Sequence, residues 1–172
     1  HGTAVAGVAA ARGNNGLGVT GSCPNCQMML LRTGYVSSDW AKSLAFGYAQ
    51  QMGARIITNS WGGGGATPNT VTAINNAAAA GVVVLFAAGN TPADVCTVTP
   101  DPRVSLPTVI AVSSSSNQDR KVIVSAIGNC IDILAPSHRG YSAGNPSTGT
   151  LNITTTDRTG TAGYNNTNPV TN

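Results

Sequence analysis

The sequence opens on an imidazole, His1, at the head of the segment His1-Gly2-Thr3-Ala4-Val5-Ala6-Gly7. Histidine changes charge near neutral pH, so it can take a proton from a hydroxyl and return it to a leaving group. Two other places gather groups of a different kind, Asn59-Ser60-Trp61-Gly62-Gly63-Gly64-Gly65 and Ala87-Ala88-Gly89-Asn90. Each follows an apolar run of strand length and presents much backbone with few bulky side chains. Glycines there let a second backbone come close, and exposed N–H and C=O groups pair with an extended peptide. A polypeptide is therefore the expected ligand.

Four cysteines occur, as Cys23-Pro24-Asn25-Cys26 and then Cys96 and Cys130, and three pairings are open to them. Structural zinc would need a second C-x-x-C or a nearby histidine pair. A thioredoxin-type redox pair should open a helix, whereas Cys26 runs straight into strand-like residues. Neither is expected. The glycines between Gly13 and Gly21 follow a helix and precede a strand, the reverse of the order in which a loop cradles phosphate.

The elements that must position these groups follow from period and caps. His1 to Ala11 reads as a short helix of small residues with Val5 and Val8 on one side, and small side chains predict close burial. It ends before the turn Gly13-Asn14-Asn15-Gly16. Gln27 to Arg32 reads as a near-continuous apolar strand. Asp39 to Met52 reads as a helix with Trp40, Leu44, Ala45 and Tyr48 at helical spacing, capped by Ser38 or Asp39 and ended by Gly53. Strands are expected at Arg55 to Ser60 and Val82 to Ala87. The helix between them begins at Thr67-Pro68 and runs through Val71, Ile74 and Ala78 to Gly81. Unalternated apolar strands separated by helices predict right-handed βαβ units in a parallel sheet buried on both faces, hence the α/β class. Shorter strands are expected at Val109 to Val112, Val122 to Ser125, Ile131 to Ala135 and Leu151 to Thr155. The ends of parallel strands are where such sheets bind ligands, and both glycine-rich segments lie there.

Composition bounds the function. The chain has 172 residues with nine basic and six acidic side chains, a charged fraction of 9%, against about 25% in an average soluble domain. One domain with a sizeable core is expected, and the low charge suits a secreted, extracellular enzyme. The charges stand singly, so no run tracks a phosphate backbone and nucleic acid is not an expected partner. The longest apolar run, Val82 to Ala88, is far short of a bilayer span, so no membrane association is expected either.

Taken together, these segments resemble the subtilisin-like serine proteases, the subtilases. His1-Gly2-Thr3-Ala4-Val5-Ala6-Gly7 resembles the family's catalytic-histidine motif. Asn59-Ser60-Trp61-Gly62 resembles the strand that binds substrate backbone and lines the first specificity pocket. Ala87-Ala88-Gly89-Asn90 resembles the segment whose asparagine completes the oxyanion hole, and Asp132-Ile133-Leu134-Ala135-Pro136 resembles the D-x-x-A-P that follows. Four motifs in family order make a specific signal.

The resemblance implies a subtilisin-like three-layer sandwich, with a mainly parallel sheet flanked by helices. It implies a serine endopeptidase in which His1 is base then acid and Asn90 donates to the oxyanion. Ser60, Trp61, Gly62, Ala88 and Gly89 would hold substrate backbone. Family order is Asp, His, Ser. The aspartate is therefore expected before His1 and the serine after Asn172, making residues 1–172 a partial peptidase domain, inactive alone. Extended polypeptide substrates, a propeptide outside these residues and a monomeric state are implied as well. So is calcium, for which Asn14 and the carbonyls of the Gly13 to Gly18 loop are the candidates, a plain turn being the alternative. A disulfide between Cys96 and Cys130 is implied, while Cys23 and Cys26 either pair locally or stay buried and reduced. The pocket walls are small and neutral, which suits large apolar side chains. Asp94 is the acid considered for a basic preference, and His138 reads as a solvated surface residue. Asn152-Ile153-Thr154 and Asn165-Asn166-Thr167 have the form of glycosylation acceptors. A non-catalytic peptide-binding domain is the alternative to the enzyme.

Overall fold

The computed structural model describes residues 1–33, 38–62, 65–98, 100–137 and 153–163. They form two compact units, one built from His1–Leu30 and the chain from Ile153 on, the other from Leu31–Asn152.

The larger unit holds helix α2 (Asp39–Gln51), strand β1 (Ile56–Asn59), helix α3 (Pro68–Ala79) and strands β2 (Val83–Ala87), β3 (Val109–Ser115) and β4 (Ile133–Pro136). The four strands form one sheet in the order β1-β2-β3-β4, parallel throughout. This is the α/β, parallel-sheet architecture expected. Ser38 caps α2 by accepting from the Ala41 amide at 3.3 Å, and Gly53 ends it at φ 83°. Pro68 stands in the first turn of α3, where its missing N–H costs no helical bond, and Gly81 closes it at φ 84°.

The core lies between the sheet and the α2–α3 layer. Phe86 is 1% exposed and stacks on Phe46 at 6.3 Å, with Ile74, Ala77, Val84, Val104, Val109 and Ala111 around them. Burial alternates along β2, with Val84 and Phe86 buried and Val83 exposed. Within the larger unit, the described residues thus bury one face of β2 more than the other. The face of α2 differs too: Phe46 and Ala49 are buried, whereas Trp40 (68%), Leu44 and Tyr48 are exposed. Both stripes have helical spacing, and the sheet selects the one whose Phe46 meets Phe86.

The smaller unit contains helix α1 (Gly2–Ala10) and one 3₁₀ turn at Gly160–Ala162. Of α1 only Gly7 is buried, so its small side chains do not make it a buried helix. Its polar groups are satisfied instead. Gly21, Ser22 and Cys23 donate their amides to the carbonyls of Ala11, Val8 and Ala9 at 2.8–2.9 Å. The hydroxyls of Thr155 and Thr156 donate to the carbonyls of Ala4 and Thr3, both at 2.7 Å. A Cβ on Gly7 would collide with those two threonines.

Among the described residues, three expected strands do not form. Gln27 to Arg32 is unladdered, and Leu30 is 74% exposed beside exposed Met28, Met29 and Leu31. An apolar run becomes a strand only when a neighbour takes its N–H and C=O groups. Val122 to Ser125 forms turns instead, because Asn117 to Asp119 reverse the chain and a single antiparallel bridge, Ser115 to Lys121, is made first. Ile153 to Thr155 is likewise unladdered, and Leu151 and Asn152 lie outside the described residues. So do His138, Gly63, Gly64 and the acceptor at Asn165. No helix among the described residues is long and apolar enough to cross a membrane.

Candidate functional site

The site is built where β1 and β2 end. They pair in parallel with Asn59 opposite Phe86, so Ser60-Trp61-Gly62 and Ala88-Gly89-Asn90 leave the sheet side by side at its carboxyl edge. Asn59, which is buried, fixes the first exit: its Nδ2 donates to the Leu85 carbonyl at 3.0 Å and its Oδ1 accepts from Trp61 Nε1 at 3.1 Å. The Trp61 ring meets Phe86 edge-on at 5.1 Å. Ser60 and Gly62 are exposed, so their backbone is free to meet a ligand while the Trp61 side chain is committed to the core.

The second exit is held by the neighbouring strand. Ala88 is buried and its amide donates to the Val112 carbonyl at 2.8 Å, and Gly89 accepts from Ala126 at 3.2 Å. Gly89 has φ 107°, a conformation other residues rarely adopt. It turns Asn90 out of the sheet, and Asn90 is exposed. An amide placed beyond a parallel strand, next to an open backbone edge, can donate to an anion that develops on a peptide carbonyl.

The loop after Asn90 is stapled. Cys96 and Cys130 form the expected disulfide, closing 34 residues. Gly128 sits where any Cβ would meet Cys96 Sγ and Asp94. Asp94 is not a pocket floor: its Oδ1 accepts the amides of Cys96 and Thr97 at 2.8 and 3.0 Å. Those bonds, the Thr97 hydroxyl first and the Cys96 amide next, hold its carboxyl below the usual aspartate range. Asp132, in the D-x-x-A-P segment, accepts from the Ala111 amide at 2.7 Å and its own amide donates to the Ala111 carbonyl at 3.0 Å. It therefore starts β4 in register.

His1 belongs to the smaller unit. It is the exposed N-cap of α1, with its carbonyl accepting from Val5 at 3.1 Å and no capping bond from its side chain. Its imidazole is thus not spent on the helix. Cys23 and Cys26 are paired and exposed, which settles that alternative.

Asn14 and the carbonyls of its loop are the candidates for calcium. Asn14 is exposed at φ 55° in a turn where Asn15 Oδ1 accepts from the Leu17 amide at 3.0 Å. Residues 1–38 hold no acidic side chain, so the carboxylates that calcium takes among its six to eight oxygens would come from another segment. Among the described residues no three His, Cys, Asp or Glu side chains gather.

Sequence reasoning missed the side-chain role of Asn59, and it missed Asp101 and Arg103 altogether. Arg103 is 2% exposed and grips Asp101 through Nε and a terminal nitrogen at 2.8 and 2.7 Å. Its guanidinium lies 5.2 Å from the Trp61 ring centroid, and Lys42 Nζ lies 5.0 Å from the same centroid. Asp101-Pro102-Arg103 pairs opposite charges in a chain with few, but nothing in that segment specifies its approach to Gly62.

The profile of the subtilase family matches residues 1–168. Thermitase of Thermoactinomyces vulgaris is 33% identical over 145 residues, covering 83% of this chain and 50% of that protein. A calcium-dependent protease of Trichormus variabilis is 33% identical over 189 residues, covering 98% of this chain and 27% of that protein. Among solved structures, proteases from Pseudoalteromonas arctica superpose with a TM-score of 0.70 at 27% identity, covering 81% of this chain and 44% of that one. The chain spans half or less of the length of these relatives. With its parallel sheet, its two glycine-rich strand exits and a match over nearly its whole length, this chain belongs to the subtilase family.

Proposed function

We propose that the protein is a secreted serine endopeptidase that cleaves extended polypeptides through an acyl-enzyme. The observation that supports this most directly is the pair of strand exits: an open backbone edge at Ser60 to Gly62 beside an exposed amide at Asn90, in a chain of the subtilase family. A peptide laid along Ser60, Trp61, Gly62, Ala88 and Gly89 brings its scissile carbonyl to the Asn90 amide. His1 takes the proton of the attacking serine hydroxyl as its oxygen bonds to the carbonyl carbon. Asn90 then donates to the resulting oxyanion, and His1 returns the proton to the leaving amine. Water repeats the sequence on the acyl ester. The serine and the acid that orients His1 are assigned to no residue of this segment. Two disulfides and a sparse charge support an oxidising, extracellular setting. Calcium dependence belongs to the relatives' names, and no step is routed through a metal.

The test is fluorophosphonate labelling and peptide hydrolysis by the full-length protein. His1→Ala is expected to lower kcat by about a million-fold, the size known for subtilisin's histidine. Asn90→Ala is expected to lower it by about 100- to 1,000-fold, the size known for subtilisin's oxyanion donor. Undiminished labelling in His1→Ala would remove His1 from this role. Peptide binding without labelling in the parent would replace the enzyme with a peptide-binding domain.

A further inference from the structure

The Asp101–Arg103 pair lies against the substrate edge, and what it does there goes beyond positioning. Asp101 is fixed by its backbone, its amide donating to the Val95 carbonyl at 3.0 Å and its carbonyl accepting from Val104 at 3.2 Å and from the Ser105 hydroxyl at 3.0 Å. Its side chain is 18% exposed. A Cβ built on Gly62 would stand 3.4 Å from Asp101 Oδ2, so the carboxylate lies at van der Waals distance from where a side chain at Gly62 would begin. A carboxylate in that place is a recognition group for a cationic side chain. Here it is already engaged: Arg103 takes both oxygens in a fork, and the Asp101 Oδ1 atom also accepts the Arg103 amide at 3.0 Å. The guanidinium is buried and stacked near Trp61, so it cannot swing away to leave the acid bare.

We propose that the Asp101–Arg103 pair determines which substrate side chain is accepted beside Gly62. Arg103 cancels the only carboxylate found against that residue among the described ones, so the subsite favours an uncharged side chain over Lys, Arg or Glu. This rests on the peptidase reading above. It also assigns the role to a different acid from Asp94, whose mapped bonds lie within its own turn. Removing one member of the pair exposes the charge of the other, and the two single substitutions must therefore shift selectivity in opposite directions.

The experiment uses the full-length protein and three peptides that differ only in Phe, Lys or Glu at the cleavage position. Selectivity is read as a ratio of kcat/KM values within one preparation, which is independent of the fraction that has folded. In Arg103→Met the Lys/Phe ratio is expected to rise by about tenfold, the worth of one partly desolvated charge contact. In the isosteric Asp101→Asn the Lys/Phe ratio is expected to fall and the Glu/Phe ratio to rise. The double variant Asp101→Asn/Arg103→Met is expected to return both ratios toward the parent's. Equal losses on all three peptides in both single variants would overturn the proposal and leave the pair a structural brace. If the parent itself cleaves none of the three, the peptidase reading fails, and that result is distinct from unchanged ratios in an active enzyme.

Discussion

The helix that begins at His1 and the sheet that presents Asn90 are held by different forces. The sheet owes its position to apolar burial: Phe86, Ile74, Val84 and Ala111 are all but inaccessible, and Phe46 of α2 stacks on Phe86. Helix α1 buries one glycine. It is tied down by backbone bonds to Gly21, Ser22 and Cys23 and by the hydroxyls of Thr155 and Thr156. Their disulfides differ in the same sense. Cys96–Cys130 closes 34 residues beside the core, and Cys23–Cys26 closes 3 in an exposed loop. The chain-entropy relation gives about 4 kcal/mol for the first loop and about 2 kcal/mol for the second. A proton acceptor on a polar mount and a neutral donor on an apolar one should respond to different perturbations.

The largest effect is expected at the core. Phe86→Ala removes the ring that Phe46 and Trp61 both contact and should cost about 3–5 kcal/mol in urea unfolding. A loss below about 1 kcal/mol would mean that apolar burial is not what secures the Asn90 exit. Cys23→Ser/Cys26→Ser should come next, at about 2 kcal/mol, with amide-exchange protection falling in α1 and not in β2. Equal losses in both would erase the contrast between the two regions. The smallest effect concerns Asp94. Its folded carboxyl titrates below the unfolded one, so its contribution is present above about pH 4. That contribution is lost as pH falls through the lower folded value. Asp94→Asn should therefore flatten the acid limb of the stability curve, and an unchanged limb would show that the turn bonds do not depend on its charge.

The candidate site was legible to the extent that it is local. The strand exits at Ser60 to Gly62 and Ala88 to Asn90 carry their own marks, an apolar run followed by glycine, and the register of β1 on β2 sets them side by side. Asp101 and Arg103 were not legible, because 39 positions of chain separate Gly62 from Asp101 and nothing in either segment specifies their approach. The loop at Asn14 is a harder case, because the turn offers carbonyls while any carboxylate that completes a cation site must come from a distant segment.

From sequence alone, the period of the apolar residues, the caps at Ser38 and Gly53, the Pro68 helix start and the four family motifs determined the class, the succession α2, β1, α3, β2 and the family. Those are short-range properties, set by backbone sterics and by neighbours a few residues apart. Tertiary structure alone decided which stripe of α2 faces the sheet, whether Gln27 to Arg32 finds a pairing edge, how Cys23 and Cys26 are disposed, and which acid meets Gly62. Each of these depends on a partner distant in the chain. Burial and hydrogen bonding are satisfied by whatever atoms the fold brings near, and residue type at one position cannot specify that.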